Sequence, residues 1–206
     1  MKKGLLFAIV LLLTSPLWAS SIKIFDLHDQ YFSGTMIKKG EEGYGKEAQY
    51  DLKYVRVVTD TIYNGSSYRS GLFTVELKEP IVDWTVHIKT KNGTLNGGER
   101  TTIRITSNNG ESYFISYEAL DGGTIRGNPF EITINNKTFK VFNMQNKRLT
   151  ATIKKRGDIV TFYINGKPFL KQNRIGFTKL SKVEVEVNNH YHYYDELLSL
   201  DIYKVK

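Results

Sequence analysis

The chain contains no cysteine, so it has no disulfide bond to staple the fold and no thiolate ligand for a metal ion. A lipid anchor of the bacterial lipoprotein type is excluded as well, because that anchor is attached to a cysteine that follows the apolar core of the leader. The stability of the fold must therefore come from burial alone.

No apolar stretch is long enough to cross a bilayer as a helix, which takes about 20 residues. The run Leu5–Leu13 follows two N-terminal lysines and precedes small residues, a pattern typical of a secretory signal peptide. We expect residues 1–19 to be a leader that is removed after Ala19, and residues 20–206 to form one exported domain. No membrane anchor then remains. An uncleaved anchor helix is the alternative interpretation.

The chain also lacks any run of five basic residues, although its formal net charge is +8. Nucleic-acid binding is therefore not expected. Charged residues of both signs make up 24% of the sequence, which is typical of an ordinary soluble surface. Export without a single cysteine fits a periplasmic or secreted bacterial protein better than a eukaryotic secretory one.

Helical periodicity is absent too, and alternation with a period of two replaces it. The clearest example is Arg148–Gln172, which predicts three consecutive antiparallel strands. The turn between the first two is Arg156-Gly157-Asp158, and Asn165-Gly166 between the last two is the preferred dipeptide of a type I′ hairpin. The positions predicted to point inward are Leu149, Ala151, Ile153, Val160, Phe162 and Ile164.

About a dozen such strands, separated by Gly- and Asn-rich turns, indicate an all-β fold. Further clean examples are the segments 82–90, 182–187 and 198–205, whose apolar residues fall on one side. Ser33–Asp51 holds four glycines without apolar periodicity and is predicted to be a long loop. The simplest arrangement is a sandwich of two antiparallel sheets.

The hairpin segment Thr152–Lys167 resembles the late hairpin of concanavalin A-like lectin/glucanase jelly rolls, including laminin-G-like modules. In that superfamily one strand ends in a basic-Gly-Asp turn and the next ends in Asn-Gly-Lys. An early Phe32-Ser33-Gly34 segment and a last strand near the C-terminus are similar as well. The resemblance implies a two-sheet antiparallel jelly-roll sandwich, a fold that hosts lectins, hydrolases and adhesion domains.

Laminarinase-type members of that superfamily carry a Glu-x-Asp-x-x-Glu strand, and this sequence has none. Its nearest approach is the pair Glu184 and Glu186, which share one face of a strand at a separation of roughly 7 Å. A solvated sheet face accounts for such alternation, and a glycosidase carboxylate pair is the alternative. An enzyme is thus the less favoured class, and no catalytic residue is assigned.

Tyrosines provide the candidate ligand-binding residues, because their rings combine an apolar face with a polar tip. Within Asn188–Glu196 a ligand platform is one hypothesis, and an aromatic loop packed on the end of the sandwich is the other. Strand tyrosines could line a glycan groove, although β-propensity alone also explains them. The candidates are Tyr191, Tyr193, Tyr194, Tyr163, Tyr113 and Tyr117.

Two groups of residues have side chains that can bind metal ions. His190 and His192 would project to one side of an extended chain, with Asp195 or Glu196 to complete a divalent-metal site. Asp26 and Asp29 stand where jelly rolls often hold calcium, but one short segment supplies too few oxygens for that ion. We therefore expect no cofactor.

The function predicted from these observations is an exported, non-catalytic binding domain with carbohydrate as its ligand. A glycoside hydrolase with an unrecognised carboxylate pair is one alternative. A structural or interaction protein of the cell envelope, which meets a partner through its sheet edges, is the other.

Overall fold

The computed structural model describes residues 20–27, 48–63, 68–91, 100–119, 130–135, 137–141, 148–174, 176–190, 193–194 and 196–206. These residues form fifteen strands and no helix, so none of them belongs to a helix that could cross a membrane. The predicted leader lies outside this part of the chain. The strands are β1 (Ser21–Asp26), β2 (Ala48–Asp51), β3 (Val55–Tyr63), β4 (Tyr68–Ile81), β5 (Trp84–Lys91), β6 (Arg100–Ser107), β7 (Ser112–Ala119), β8 (Phe130–Ile134), β9 (Lys137–Val141), β10 (Arg148–Arg156), β11 (Ile159–Ile164), β12 (Lys167–Asn173), β13 (Leu180–His190), β14 (Tyr193–Tyr194) and β15 (Glu196–Val205).

The strands form two antiparallel sheets, which confirms the predicted all-β sandwich. A six-stranded sheet has the order β1-β15-β5-β10-β11-β12. A nine-stranded sheet has the order β2-β3-β4-β13-β6-β7-β8-β9, with β14 added beside β13. Strand β13 therefore lies between β4 and β6, far from both in sequence, and this crossover places it at the centre of its sheet.

One hydrophobic core fills the space between the sheets, and aromatic side chains from both sheets meet in it. The ring of Phe162 in β11 lies 5.6 Å from that of Tyr113 in β7. Phe25 in β1 and Phe73 in β4 are 6.1 Å apart between ring centres. Because these contacts join one sheet to the other, they fix which face of each sheet points inward.

The hairpin unit Arg148–Gln172 is confirmed in register and orientation. Asn165 and Gly166 both have positive φ, 49° and 78°, as a type I′ turn requires. The Asn165 side chain accepts a hydrogen bond of 2.9 Å from the backbone N–H of Thr150, which fastens the turn to β10. The residues predicted to point inward are buried: Leu149, Ala151, Ile153, Val160, Phe162 and Ile164.

The Arg156-Gly157-Asp158 tripeptide is a structural turn. Gly157 has a φ of 54°, and its N–H donates to a carboxylate oxygen of Asp83 at 2.8 Å. The Arg156 guanidinium donates to the backbone oxygen of Trp84 at 2.8 Å. The Arg156 side chain is therefore held against the sheet by hydrogen bonds within the domain.

The prediction of a loop over Ser33–Asp51 is wrong at its C-terminal end, because the last four residues form strand β2. This strand pairs with β3, in the register Ala48 with Thr59 and Asp51 with Arg56. Local sequence showed no strand there, and the pairing is supplied by the longer neighbouring strand.

The six-stranded sheet ends at edge strand β12, which contains Pro168 between exposed lysines.

Candidate ligand-binding face

Central strand β13 sets the chemistry of the outward side of the nine-stranded sheet, which we call the nine-strand face. Val183 and Val185 are fully buried, so the alternating residues Glu184 and Glu186 must point away from the core. The side chain of Glu184 is only 15% exposed, because neighbouring strands flank it on both sides.

A row of side chains crosses this face at the level of Glu184, and we call it the central row. Strand register defines it, since residues directly opposite one another on neighbouring strands share a face. Its members, in order across β4, β13, β6 and β7, are Thr74, Glu184, Arg104 and Phe114. The ring of Phe114 is 40% exposed, and the guanidinium carbon of Arg104 lies 4.6 Å from its centre.

Two cations flank the Glu184 carboxylate within the face. Lys182 donates to Glu184 Oε1 at 3.1 Å, and Arg104 Nη1 lies 4.0 Å from Oε2. Although Oε2 is buried, it accepts no hydrogen bond from any described residue. A buried carboxylate oxygen without a donor is costly, and the charge of the Arg104 guanidinium 4.0 Å away partly offsets that cost.

Hydroxyl side chains surround the central row. The row beside it joins Glu186 of β13 to Thr102 of β6 and Ser116 of β7. On the other side, Thr106 and Ser112 share a hydrogen bond of 3.0 Å between their hydroxyl oxygens. The centre of the face therefore combines one exposed ring with a charged pair and short polar groups.

On the described part of this face, the contacts of Glu184 do not favour a retaining glycosidase pair with Glu186. Such a pair needs two carboxyl groups about 5 to 5.5 Å apart, both directed at the substrate. Here Glu184 is directed at Lys182 and Arg104, and strand geometry puts Glu186 roughly 7 Å away at its Cβ.

Two of the predicted glycan-binding tyrosines lie in the core. Tyr113 and Tyr117 are 2% and 1% exposed, and burial raises the pKa of Tyr113 to about 12. The Tyr117 hydroxyl donates to Thr90 in the opposite sheet. A ring enclosed in this way offers no face to a sugar, so these two assignments are corrected.

Tyr163 does point outward, but from the six-stranded sheet. It lies opposite Thr152 of β10, and the Lys154 ammonium is 4.9 Å from its ring centre. The predicted strand tyrosines therefore do not combine into a single groove. Tyr163 remains a predicted ligand-binding residue, on the outward face of the six-stranded sheet.

The aromatic and histidine-rich segment is described only in part. Tyr191, His192 and Asp195 lie outside the described residues. The backbones of His190 and Tyr193 pair with each other, and Tyr194 follows in β14. Within the part of the chain that the structure describes, no three His, Asp or Glu side chains are grouped as a metal site would require. The metal prediction for this segment remains a prediction.

The Asp26 carboxylate, which stands where jelly rolls often hold calcium, already binds an ammonium group. The Lys23 Nζ atom lies 2.6 Å from Asp26 and 3.5 Å from Asp201, where a cation would have to bind. Its hydrogen bond to Asp26 raises the pKa of Lys23, and burial raises that of Asp201. Asp29, the other residue considered for calcium, lies outside the described residues.

His87 gives the six-stranded sheet a pH response. Its Nδ1 is 2.8 Å from the Thr152 hydroxyl. Burial lowers its pKa below the ordinary value of 6.5, although Asp201 opposes the shift. The unfolded chain therefore binds a proton more readily than the folded one, and stability is lost as pH falls from 6.5 towards the folded-state pKa.

We expect the urea midpoint to decrease between about pH 7.5 and about pH 5.5, and to decrease less in His87→Asn. The asparagine amide keeps a hydrogen-bonding group near Thr152 but does not titrate. Urea unfolding of both proteins at the two pH values measures the difference. Equal pH dependence in the two proteins would assign the effect to other groups.

Comparison with known proteins agrees with this geometry at the level of fold. No family model matches the chain, and no curated protein matches it in sequence. The GlcNAcα1-4Gal-releasing endo-β-galactosidase of Clostridium perfringens superposes with a TM-score of 0.52 at 9% identity, over 91% of this chain and 64% of that one. Bacillus licheniformis β-glucanase gives 0.49 at 11% identity, over 88% and 98%. The VIP36 exoplasmic/lumenal domain, in a Ca²⁺- and mannose-bound form, gives 0.47 at 10% identity, over 78% and 82%.

The chain thus has the concanavalin A-like jelly-roll fold, and the resemblance of its late hairpin is confirmed to that extent. At such low identity the likeness concerns the arrangement of strands. What the nine-strand face does has to be argued from its own side chains.

Proposed function

We propose that the protein is a carbohydrate-binding domain and that the nine-strand face is its binding surface. The observation that carries this proposal is the central row, in which the exposed Phe114 ring lies beside Arg104 and Glu184. A pyranose ring has an apolar C–H surface that suits an aromatic face, and a rim of hydroxyls that suits charged hydrogen-bonding groups. The endo-β-galactosidase of similar fold is named as acting on a glycan, which supports the same ligand class.

Binding rather than cleavage is favoured by the state of Glu184. Its carboxylate is engaged by Lys182 and lies close to Arg104, so it holds these two cations in place on the face rather than pointing freely at a substrate. Arg104, whose side chain is 47% exposed, donates to a ring or hydroxyl oxygen of the ligand.

A hydrolase is the second candidate, since Glu184 and Glu186 share one face with Cβ atoms roughly 7 Å apart, from which their carboxyl groups can reach the spacings that glycosidases use. Reducing-sugar release from β-glucans by the wild-type protein, lost in Glu186→Gln, would establish it. Without such release, the binding proposal stands alone.

Affinity electrophoresis against neutral and acidic polysaccharides tests the binding surface. We expect Phe114→Ala to weaken retention by about tenfold, equivalent to about 1.4 kcal/mol, because the stacking ring is lost. Ile159→Ala is the matched control, since Ile159 is exposed to the same degree, 39% against 40%, but belongs to the other sheet. Equal retention of the two variants would contradict the proposed surface.

We further propose that the protein is exported to the periplasm or secreted, with residues 1–19 removed as a signal peptide. The apolar run Leu5–Leu13 and the two lysines before it support this. The mass of the protein recovered from the producing cells reports whether those residues are absent.

A further inference from the structure

Four neighbouring strands of the six-stranded sheet carry basic residues and no acidic one. They are β5, β10, β11 and β12, which lie side by side in that order. None of the chain's 21 acidic residues falls within them, whereas eight of its 29 basic residues do. These eight are Lys89, Lys91, Arg148, Lys154, Lys155, Arg156, Lys167 and Lys171. The positive charge of the chain is therefore in excess on this part of the fold.

The outward side of these four strands, which we call the basic face, displays most of these cations. Strand alternation defines it, since Val160 and Phe162 of β11 are buried and Thr161 between them therefore faces outward. Lys155 faces inward instead, is buried, and donates to the backbone oxygen of Val82 at 3.2 Å. The cations that face outward with at least partly exposed side chains are Lys89, Arg148, Lys154, Arg156 and Lys171.

Lys154 and Lys171 form one pair of cations on the basic face. They lie on the strands to either side of Thr161, in the same row, at backbone positions roughly 10 Å apart. The Lys154 ammonium is 4.9 Å from the centre of the Tyr163 ring. This end of the basic face thus combines two charges with one ring and one hydroxyl group.

Lys89 and Arg148 form a second pair, on the other side of the row that contains Tyr163. Thr152 lies opposite Tyr163, and Thr150, two residues earlier in β10, lies opposite Lys89. Arg148 follows after two further residues in the same direction, and consecutive outward residues of a strand are roughly 7 Å apart. Cations are therefore repeated along the strands as well as across them.

Acidic residues border the four strands without entering them. Asp83 accepts the Gly157 N–H at one end, and Asp201 on neighbouring strand β15 lies 3.5 Å from Lys23. The acids adjacent in the chain or in strand pairing are Asp83, Asp158, Asp201 and Glu196. The middle of the basic face is therefore positive, and the negative charges lie around its borders.

Four cations of the basic face have no described acid as a partner. In the parts of the chain that the structure describes, no carboxylate oxygen lies within 4.0 Å of the charged nitrogens of Lys89, Arg148, Lys154 or Lys171. Arg156 differs, because its guanidinium donates to the backbone oxygen of Trp84. Several cations without acidic partners on one surface attract a ligand that carries several negative charges.

We propose that the basic face binds an acidic polysaccharide. Cations repeated in two directions match a polymer that carries a carboxylate on each sugar, because an ammonium or guanidinium group binds a carboxylate through a charge-assisted hydrogen bond. The hydroxyls of Thr150 and Thr161 lie among the cations and suit sugar hydroxyls. Tyr163 adds a ring that can contact the C–H surface of a pyranose. The basic face belongs to the opposite sheet from the nine-strand face, so the proposal does not depend on what that face binds.

Other polyanions fit the basic face less well. Single-stranded nucleic acid is bound by a series of rings on which successive bases stack, and the basic face has the one tyrosine. A membrane-binding surface inserts apolar side chains. Among the described residues of these four strands, the only exposed large hydrophobic side chain is Ile159, at the turn before β11. A sugar polymer with carboxylates needs neither feature.

Affinity electrophoresis of the purified protein at low salt tests the proposal. The probes are polygalacturonate and its methyl ester, which keeps the sugar chain but removes the charge. We expect retention by polygalacturonate alone, and its loss as salt is raised. Lys154→Gln/Lys171→Gln should weaken retention about tenfold, since each exposed ion pair contributes about threefold. Lys89→Gln/Arg148→Gln should weaken it by a similar factor.

Lys53→Gln/Lys179→Gln is the matched control. It removes the same charge from two exposed lysines that lie outside the four strands, so it should bind polygalacturonate as the wild type does. Phe114→Ala should also leave this retention unchanged, because Phe114 belongs to the nine-strand face. Circular dichroism verifies that every variant is folded.

Several results would overturn the proposal. Equal retention by the two polymers, or retention by neither, would show that the charge of the polymer is not recognised. An equal loss in the control double variant would assign binding to net charge, and a loss in Phe114→Ala would assign it to the nine-strand face. A DNA duplex that displaces polygalacturonate at a lower concentration of charge would assign the basic face to nucleic acid.

Discussion

Val185→Asp is expected to leave no folded protein at room temperature. Val185 is fully buried at the middle of central strand β13, opposite Phe73 on one neighbouring strand and Ile103 on the other. A carboxylate there would have no cation and no donor, and burying it costs several kcal/mol or more. That cost is comparable with the total stability of about 5 to 15 kcal/mol that a domain possesses.

Far-UV circular dichroism and size-exclusion chromatography measure the outcome directly. Glu186→Asp is the matched control, since it places the same new side chain one position along the strand on the outward face. We expect it to change the free energy of unfolding by less than about 0.5 kcal/mol. If Val185→Asp instead unfolded cooperatively at the wild-type midpoint, Val185 would not lie in the core.

Phe162→Ala should give the second-largest effect, a loss of about 3 to 5 kcal/mol in the free energy of unfolding. The Phe162 ring is fully buried in β11 and contacts Tyr113 of the opposite sheet. Its removal leaves a cavity between the sheets, because strands that are paired on both sides cannot move in to fill it. Urea unfolding followed by tryptophan fluorescence measures the change.

Tyr163→Ala is the control for this change, since it removes a ring of similar size from the adjacent position. Tyr163 points out of the sandwich and is partly exposed, so its loss should cost far less. If the two variants lost similar amounts of free energy of unfolding, β11 would not have one buried face and one exposed face.

The sandwich was predictable because alternation along a strand is a local property. Each of Val160, Phe162 and Ile164 is followed by a residue that faces solvent or the sheet border, and the structure buries all three. The Asn165-Gly166 turn was equally local, because positive φ at both positions is a requirement that few dipeptides meet. In this hairpin unit, the existence of the strands and the direction of their side chains thus followed from neighbouring residues alone.

The central row was not predictable in the same way. It depends on β13 inserting between β4 and β6, which brings Glu184 beside Arg104 although some 80 residues separate them in the sequence. The sequence did not single out Arg104 and Phe114 as ligand-binding residues, since charged and aromatic residues are common in strands of alternating pattern. The alternation of β6 marked Arg104 as outward, whereas that of β7 did not decide for Phe114, and only the register showed what the two residues meet.

Tyr113 and Tyr117, which were predicted to bind a ligand but lie in the core, show a second limit of sequence patterns. Tyr113 and Tyr117 alternate correctly with Phe114 and Ser116, but alternation does not say which of the two sets is buried. A β7 sequence with aromatic residues in both sets is ambiguous, because tyrosine suits either environment. The contact of Tyr113 with Phe162 across the sandwich decides the matter.

Edge strand β12 has a consequence for how the molecule behaves among its own copies. Pro168 supplies no N–H within that strand, and Lys167 and Lys171 place charge on it. A second chain that approached this border would lack a ladder donor and would bring like charges together. Fibril growth by strand addition is thereby disfavoured at edge strand β12 by the residues of the strand itself.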